Sequence, residues 1–128
     1  MLNSIGVDLV QVSEMERLMG LPSGAAFIKR SFTEEEVRRA ERSPNKAQFF
    51  ASRFAAKEAA FKAIAHFTEK QGFDFRFIET LEEPDGYPVI QVCEKLRILL
   101  DEAGISALHV SLSHDGDYAM AFVAAEKR

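Results

Sequence analysis

Glu58 and Lys62 stand four residues apart in an alanine-rich stretch that contains neither Gly nor Pro. At about 100° per residue, Glu58 falls within about 60° of Ala51, Phe54, Ala55, Phe61 and Ala65, near the middle of an apolar helical stripe. A carboxylate there is costly unless it is paired or bound to a metal. Lys62 lies about 40° round the same helix. Two readings therefore stand: an ion pair that neutralises itself in the core wall, or a metal-binding or proton-accepting carboxylate beside a phosphate-binding ammonium. Asp8 breaks its surroundings too, since it interrupts an apolar, β-branched run, and Gly6 on the same strand face leaves room beside it. Asp8 either accepts backbone hydrogen bonds or faces solvent, or it meets Glu58 as a second hard oxygen ligand. That donor set suits Mg²⁺ rather than zinc. In the run from His109 to His114, alternation sets His109, Ser111 and Ser113 against Leu108, Val110 and Leu112. This polar stripe is either a solvent face or a surface that hydrogen-bonds phosphate or amide groups. There is no G-x-S-x-G elbow, phosphate-binding loop or dinucleotide fingerprint.

Several elements must position these residues. Residues 5–12 read as a strand, with Ile5, Val7 and Leu9 on one face and Gly6, Asp8 and Val10 on the other. Ser13 and Glu16 have the spacing of a capping box that starts a short helix, stopped by Gly20 and Pro22. Thr33 and Glu36 form a second capping box, with Phe32 and Val37 at the staple positions, for a helix ending near Arg42. The alanine-rich helix spans about residues 47–67. Residues 73–77 alternate like a strand, residues 84–86 turn, and residues 87–92 return. Leu96, Leu99, Leu100 and Ala103 have helical spacing, with Gly104 as the stop. Residues 108–113 and 118–125 form a hairpin around Asp115-Gly116-Asp117. The order is β-α-α-α-β-β-α-β-β, and hairpin-linked strands predict an antiparallel sheet with packed helices, an α+β fold.

The 128 residues fit one domain, 1–128, able to bury a core, and composition is globular. Net charge is -4, which excludes a uniformly basic nucleic-acid coat. The distribution is uneven: residues 29–70 hold 10 basic and 6 acidic side chains, and the rest hold 6 and 14. Lys29, Arg30, Arg38, Arg39, Arg42 and Lys46 are candidates for an acidic partner's docking surface. The lone Cys93 fits a reducing compartment, and no run approaches the roughly 18 apolar residues of a membrane span. The start of the chain does not read as a signal peptide.

Five segments together resemble one family. Gly6-Val7-Asp8 is similar to its G-[IVL]-D opening, and Phe32-Thr33 with Glu36 to its F-T-x-x-E segment. Arg53, Ala55, Ala56, Lys57, Glu58, Ala59, Lys62 and Ala63 match its R-x-A-A-K-E-A-x-x-K-A helix. Gly86-Tyr87-Pro88 is similar to its G-x-P turn, and the run from His109 to His114, with Tyr118-Ala119, to its H-V-S-x-S-H…Y-A hairpin. The family is the holo-acyl-carrier-protein synthases among the 4′-phosphopantetheinyl transferases, whose element order agrees with the one read above. The resemblance implies an enzyme that moves the phosphopantetheine arm of coenzyme A onto a serine of an apo acyl carrier protein, in fatty-acid or related biosynthesis. It implies Mg²⁺ on Asp8 and Glu58, Glu58 as proton acceptor, and Lys62 neutralising phosphate charge. It further implies that Arg53, Lys57, Lys62, His109 and Ser111 hold the coenzyme, and that the protein is a cytoplasmic homotrimer binding coenzyme A between subunits. Neither nucleic acid nor membrane is an expected partner.

Three positions depart from the family pattern. Gln11 stands where Glu is common, and Glu14 stands where an Arg often meets the carrier protein. Lys62-Ala63-Ile64-Ala65-His66 replaces a K-A-x-G-T-G run. These departures motivate an alternative, a non-catalytic homologue that binds coenzyme A or a carrier protein. Retention of Asp8, Glu58, Lys62 and His109 argues for catalysis.

Overall fold

The computed structural model describes residues 1–65 and 74–127. The end of the alanine-rich helix at His66 and Phe67, and Phe73, lie outside the described residues. A long first strand, β1 (Leu2–Gln11), runs directly into helix α1 (Val12–Met19). Helices α2 (Gly24–Ser31), α3 (Glu34–Glu41) and α4 (Lys46–Ile64) follow. A 3-10 turn (Phe75–Phe77) leads into the hairpin of β2 (Ile78–Glu82) and β3 (Pro88–Val92). Helix α5 (Glu94–Ala103) and the hairpin of β4 (Ile105–Asp115) and β5 (Tyr118–Lys127) complete the order. β1, β5 and β4 form an antiparallel sheet with β5 central, and β2 and β3 form a separate antiparallel pair. The α+β class and the antiparallel sheet with packed helices are as expected.

Four local expectations are corrected. Among the described residues four α-helices, not three, precede the second strand: α2 forms without a side-chain cap at Ser23, and no capping signature marks it. The capping box at Ser13 and Glu16 does not form. α1 begins one residue earlier, and the carboxylate of Asp117, in the β4–β5 turn, accepts from the Ser13 amide at 2.9 Å and the Ser13 hydroxyl at 2.5 Å. A distant residue thus takes the local cap's place at the helix N-terminus. The strand expected over residues 73–77 begins instead at Ile78. The Asp74 side chain accepts from the Arg76 amide and turns the chain into 3-10 geometry first. Finally, α4 starts at Lys46, where Asn45 caps the Gln48 amide at 3.0 Å. By contrast, both arms of the capping box at Thr33 and Glu36 are present, and Phe32 and Val37 pack in the same cluster.

α4 lies across the inner sheet face. Ala55, Ala56, Ala59, Ala60 and Ala63 pack against Ala121, Val123 and Ala125 of β5 and, beyond them, Leu96 and Leu100 of α5. A second cluster, around Met15, Phe32, Phe50 and Ala51, fills the space beneath α1 to α3. Small side chains on both surfaces let helix and sheet backbones approach closely. The closest approach is at Gly6: a Cβ there would run into the carbonyl oxygen of Ala59 and lie 3.0 Å from the amide nitrogen of Ala63. Only glycine fits.

The β1 side chains therefore divide opposite to their hydrophobicity. Gly6, Asp8 and Val10 face the helix, whereas Ile5, Val7 and Leu9 are 55%, 49% and 60% exposed. Met120 and Phe122, paired opposite Leu9 and Val7, extend this apolar face across β5. Gly6→Ala is expected to cost about 3 kcal/mol, because backbone atoms of α4 would have to move. Urea unfolding should show a lower midpoint with an unchanged m-value.

Candidate active site

The strand–helix contact at Gly6 carries Asp8, two residues on, to the side of α4. There the Lys62 ammonium donates to Asp8 Oδ1 at 3.1 Å and to the Val7 carbonyl oxygen at 3.0 Å. Glu58, one helical turn before Lys62, lines the same pocket. Gln11 from β1, Glu14, Met15 and Leu18 from α1, and Phe54 from α4 complete its walls. The structure thus brings together Asp8, Glu58 and Lys62, the three residues expected to carry chemistry.

Asp8 and Glu58 are half-buried, whereas Lys62 is 52% exposed at the mouth. Burial, and then the neighbouring Asp8 charge, push the Glu58 carboxyl above its ordinary range, and Lys62 offsets only part of that. Two carboxylates drawn together and neutralised by one exposed ammonium form a donor set with charge to spare for a hard cation. Mg²⁺ takes one or two carboxylates and completes its shell with water and phosphate, so the residues fit it. Among the described residues no group of three or more His, Cys, Asp or Glu side chains could enclose a metal, so the cation would sit in an open site.

Arg53 occupies a second cavity, with Gln48 and Phe49 of α4, Gly86 of the β2–β3 turn, Pro88 of β3, and Ser113 and His114 of β4. Its guanidinium stacks on the Phe49 ring at 4.2 Å and reaches Glu82 at 3.5 Å. It is nearly buried, and its Nε has no hydrogen-bond partner among the described residues. A guanidinium lining a cavity is a candidate anion anchor.

The remaining expected residues do not converge. Lys57 is fully buried, and its three N–H bonds go to Glu36 Oε1 at 2.8 Å, the Phe75 carbonyl oxygen at 2.9 Å and the Ile78 carbonyl oxygen at 2.6 Å. In this arrangement all three protons are used within the protein, whereas the sequence led to the expectation that Lys57 holds coenzyme. His109 and Ser111 lie on the exposed sheet face, opposite Ala124 and Phe122 of β5, with His109 Nε2 3.5 Å from Glu126. Glu14 is held by Arg17 in a two-point ion pair at 2.6 and 3.0 Å. Among the expected docking cations, Arg38 and Arg39 pair with Glu35, and Lys46 pairs with Glu41. Sequence reasoning missed the pocket walls Met15, Leu18 and Phe54, whose apolar character reads as core. It also missed Ser113 and His114 as neighbours of Arg53.

A family model described as the 4′-phosphopantetheinyl transferase superfamily matches residues 4–123. The chain belongs to that family. It is 37% identical over 126 residues to a holo-[acyl-carrier-protein] synthase of Wolbachia pipientis wMel, covering 96% of this chain and 93% of that relative. It is similar to the crystal structure of the Neisseria meningitidis holo-[acyl-carrier-protein] synthase, with a TM-score of 0.89, 36% identity, and 99% and 100% of the two chains covered. The Helicobacter pylori holo-[acyl-carrier-protein] synthase in complex with coenzyme A superimposes with a TM-score of 0.80 at 27% identity, over 95% of this chain and 99% of that one.

Burial and the neighbouring Asp8 charge raise the pKa of the Glu58 carboxyl. Its raised pKa means that its contribution favours the folded state below the unfolded-state value and is lost as pH rises through the folded-state value. Glu58→Gln should therefore raise the melting temperature at neutral pH and remove that component of the pH dependence. Thermal melts across pH 4–8 check both.

Proposed function

We propose that this chain is a holo-[acyl-carrier-protein] synthase, moving the 4′-phosphopantetheine group of coenzyme A onto a serine of an apo acyl carrier protein and releasing adenosine 3′,5′-bisphosphate. The observation that carries the reading is the convergence of Asp8, Glu58 and Lys62 in one pocket, in a chain matched end to end by synthases of that name. Glu58 Oε accepts the proton of the carrier serine hydroxyl as its oxygen attacks the β-phosphorus. The Lys62 ammonium, exposed at the pocket mouth, neutralises charge on the transferring phosphoryl group. Asp8 and Glu58 would hold Mg²⁺. When bound, that cation supplies electrostatic stabilisation of the developing phosphate charge. The Arg53 guanidinium, which lines the second cavity, anchors an anionic end of the coenzyme. Lys29 and Arg30 on α2 and Arg42 beyond α3 are the cations offered to an acidic carrier. Residues 1–128 act as one transferase domain. Among the described residues no helix is long and apolar enough to cross a membrane, and an exposed Cys93 suits the reducing cytoplasm.

Purified protein with coenzyme A and Mg²⁺ should add one phosphopantetheine to an apo carrier protein, read by mass spectrometry, and Glu58→Gln should abolish the gain. Folded protein that binds coenzyme A yet modifies no carrier in a broad panel supports the non-catalytic alternative instead.

The proposed assembly is a homotrimer with coenzyme A bound between copies. His109 and Ser111 share their sheet face with exposed Val7, Met120 and Phe122, away from the pocket of their own protomer. A second copy covering that face would bury the apolar row and bring His109 to a neighbour's Glu58; the number three comes from the family resemblance. Co-expressed Glu58→Gln and His109→Ala chains, each inactive alone, should then regain activity in mixed oligomers. Random mixing gives about a quarter of wild-type sites, so recovery should approach that value. No recovery in verified mixed oligomers would place both residues in one protomer's site.

A further inference from the structure

Lys57 and Glu58 are neighbours in sequence, yet they point in different directions. Lys57 turns toward α3 and the start of β2, and Glu58 turns toward Asp8. We propose that the buried Glu36–Lys57 pair is a positioning device for catalysis, one that sets the rotation of α4 about its own axis so that Glu58 meets Asp8 in working geometry.

Three observations carry this. First, the pair joins four separate segments. Glu36 Oε1 accepts from the Lys57 ammonium at 2.8 Å and from the Thr33 amide at 3.0 Å, and Oε2 accepts from the Thr80 amide at 3.1 Å. Lys57 also donates to the Phe75 and Ile78 carbonyl oxygens. Second, both side chains are wholly excluded from solvent. No water can replace a lost partner cheaply, so the geometry is stiff. Third, the surface of α4 facing the sheet is almost entirely alanine. Alanine permits close approach but offers no ridges to resist rolling.

A roll of about 20° shifts a group at the outer radius of a helix, about 5–6 Å from its axis, by about 2 Å. Mg²⁺ demands near-ideal ligand geometry at about 2.0–2.1 Å. Misplacement by about 1 Å can cost roughly 100-fold in rate. The pair is thus placed to matter for chemistry beyond its effect on folding. Gly6 fixes how close β1 and α4 come, hydrogen bonds from Ser4 and Lys62 tie the two together, and the buried pair holds the helix from its other side, against α3 and β2.

The inference rests on Glu58 as the acting carboxylate, so its test carries a readout independent of activity. Removing one partner alone leaves a buried unpaired group and is expected to unfold the protein, so the informative variant is Glu36→Gln with Lys57→Met. Taking both charges away together should restore a melting temperature near wild type. A crystal structure of the double variant should show the Glu58 carboxylate displaced by about 1 Å or more relative to Asp8. Its kcat should fall at least about tenfold while KM for coenzyme A stays within about twofold. A Glu58 in its wild-type place, or a kcat recovering along with stability, overturns the proposal and leaves the pair a purely structural contact. If the double variant also fails to fold, Glu36→Asp, which keeps both charges and shortens one arm of the pair, takes its place, and an undisplaced Glu58 or a wild-type kcat there overturns the proposal equally. A wild-type protein without transfer activity would sink the function above and leave the displacement measurement standing.

Discussion

The site depends on the absence of one side chain, at Gly6. Its Cα presses on the backbone of α4 at Ala59 and Ala63, and the surrounding bonds turn that approach into a latch. The Ser4 hydroxyl donates to the Ala63 carbonyl oxygen at 2.6 Å, and Lys62 donates to the Val7 carbonyl oxygen and to Asp8. Ser4, Gly6 and Asp8 follow the strand period of two, and Ala59, Lys62 and Ala63 follow the helical period of three to four. The two periods can interlock only where both backbones are close, which needs glycine on one side and alanine on the other. The composition of the core therefore serves the position of Asp8 as much as it serves burial.

Charge is handled in two opposite ways on the same helix. Lys57 is fully buried, and Glu36 and two backbone carbonyls use all its donors, so its hydrogen bonds are complete even though burial still pulls its pKa down. Glu58 is half-buried and its nearest ionised neighbours are one carboxylate and one ammonium, so its desolvation is answered only in part. Satisfied charge gives stiffness, whereas unsatisfied charge leaves a site able to take a proton or a cation. A fold optimised for stability alone would have no reason to set the second kind one residue from the first.

Local signals were legible in the sequence, and signals resolved by tertiary contacts were not. The capping box at Thr33 and Glu36 was readable because its bonds close within four residues, although nothing local shows that Glu36 also accepts from Lys57 and Thr80. The similar spacing at Ser13 and Glu16 misled because Asp117, distant in sequence, reaches the helix start first. Alternation over residues 73–77 looked like a strand. The next residues alternate as well, and the Asp74 side chain decides where pairing begins. Helix α2 lacks the side-chain cap that announces α3. At the site, Asp8, Glu58 and Lys62 stood out because each violates its local apolar pattern. Lys57 does so no less, and only packing shows that its violation is resolved inside the protein.

Period-2 patterning marks the faces of β1 but cannot say which one is inside. Hydrophobicity alone would bury Ile5, Val7 and Leu9, yet the inner face is the one with Gly6, Asp8 and Val10, because α4 can approach only small side chains. The β-branched row is left outside, next to Met120 and Phe122 and in line with His109 and Ser111. A scattered exposed residue needs no explanation, but a row of large apolar side chains continuous across two paired strands does. Closing the site from within makes the outer face available, and the polar stripe of His109 and Ser111 shares that face, on the other side of the sheet from Glu58. The geometry that assembles Asp8, Glu58 and Lys62 within one chain is thus also the geometry that leaves His109 and Ser111 on the outer face.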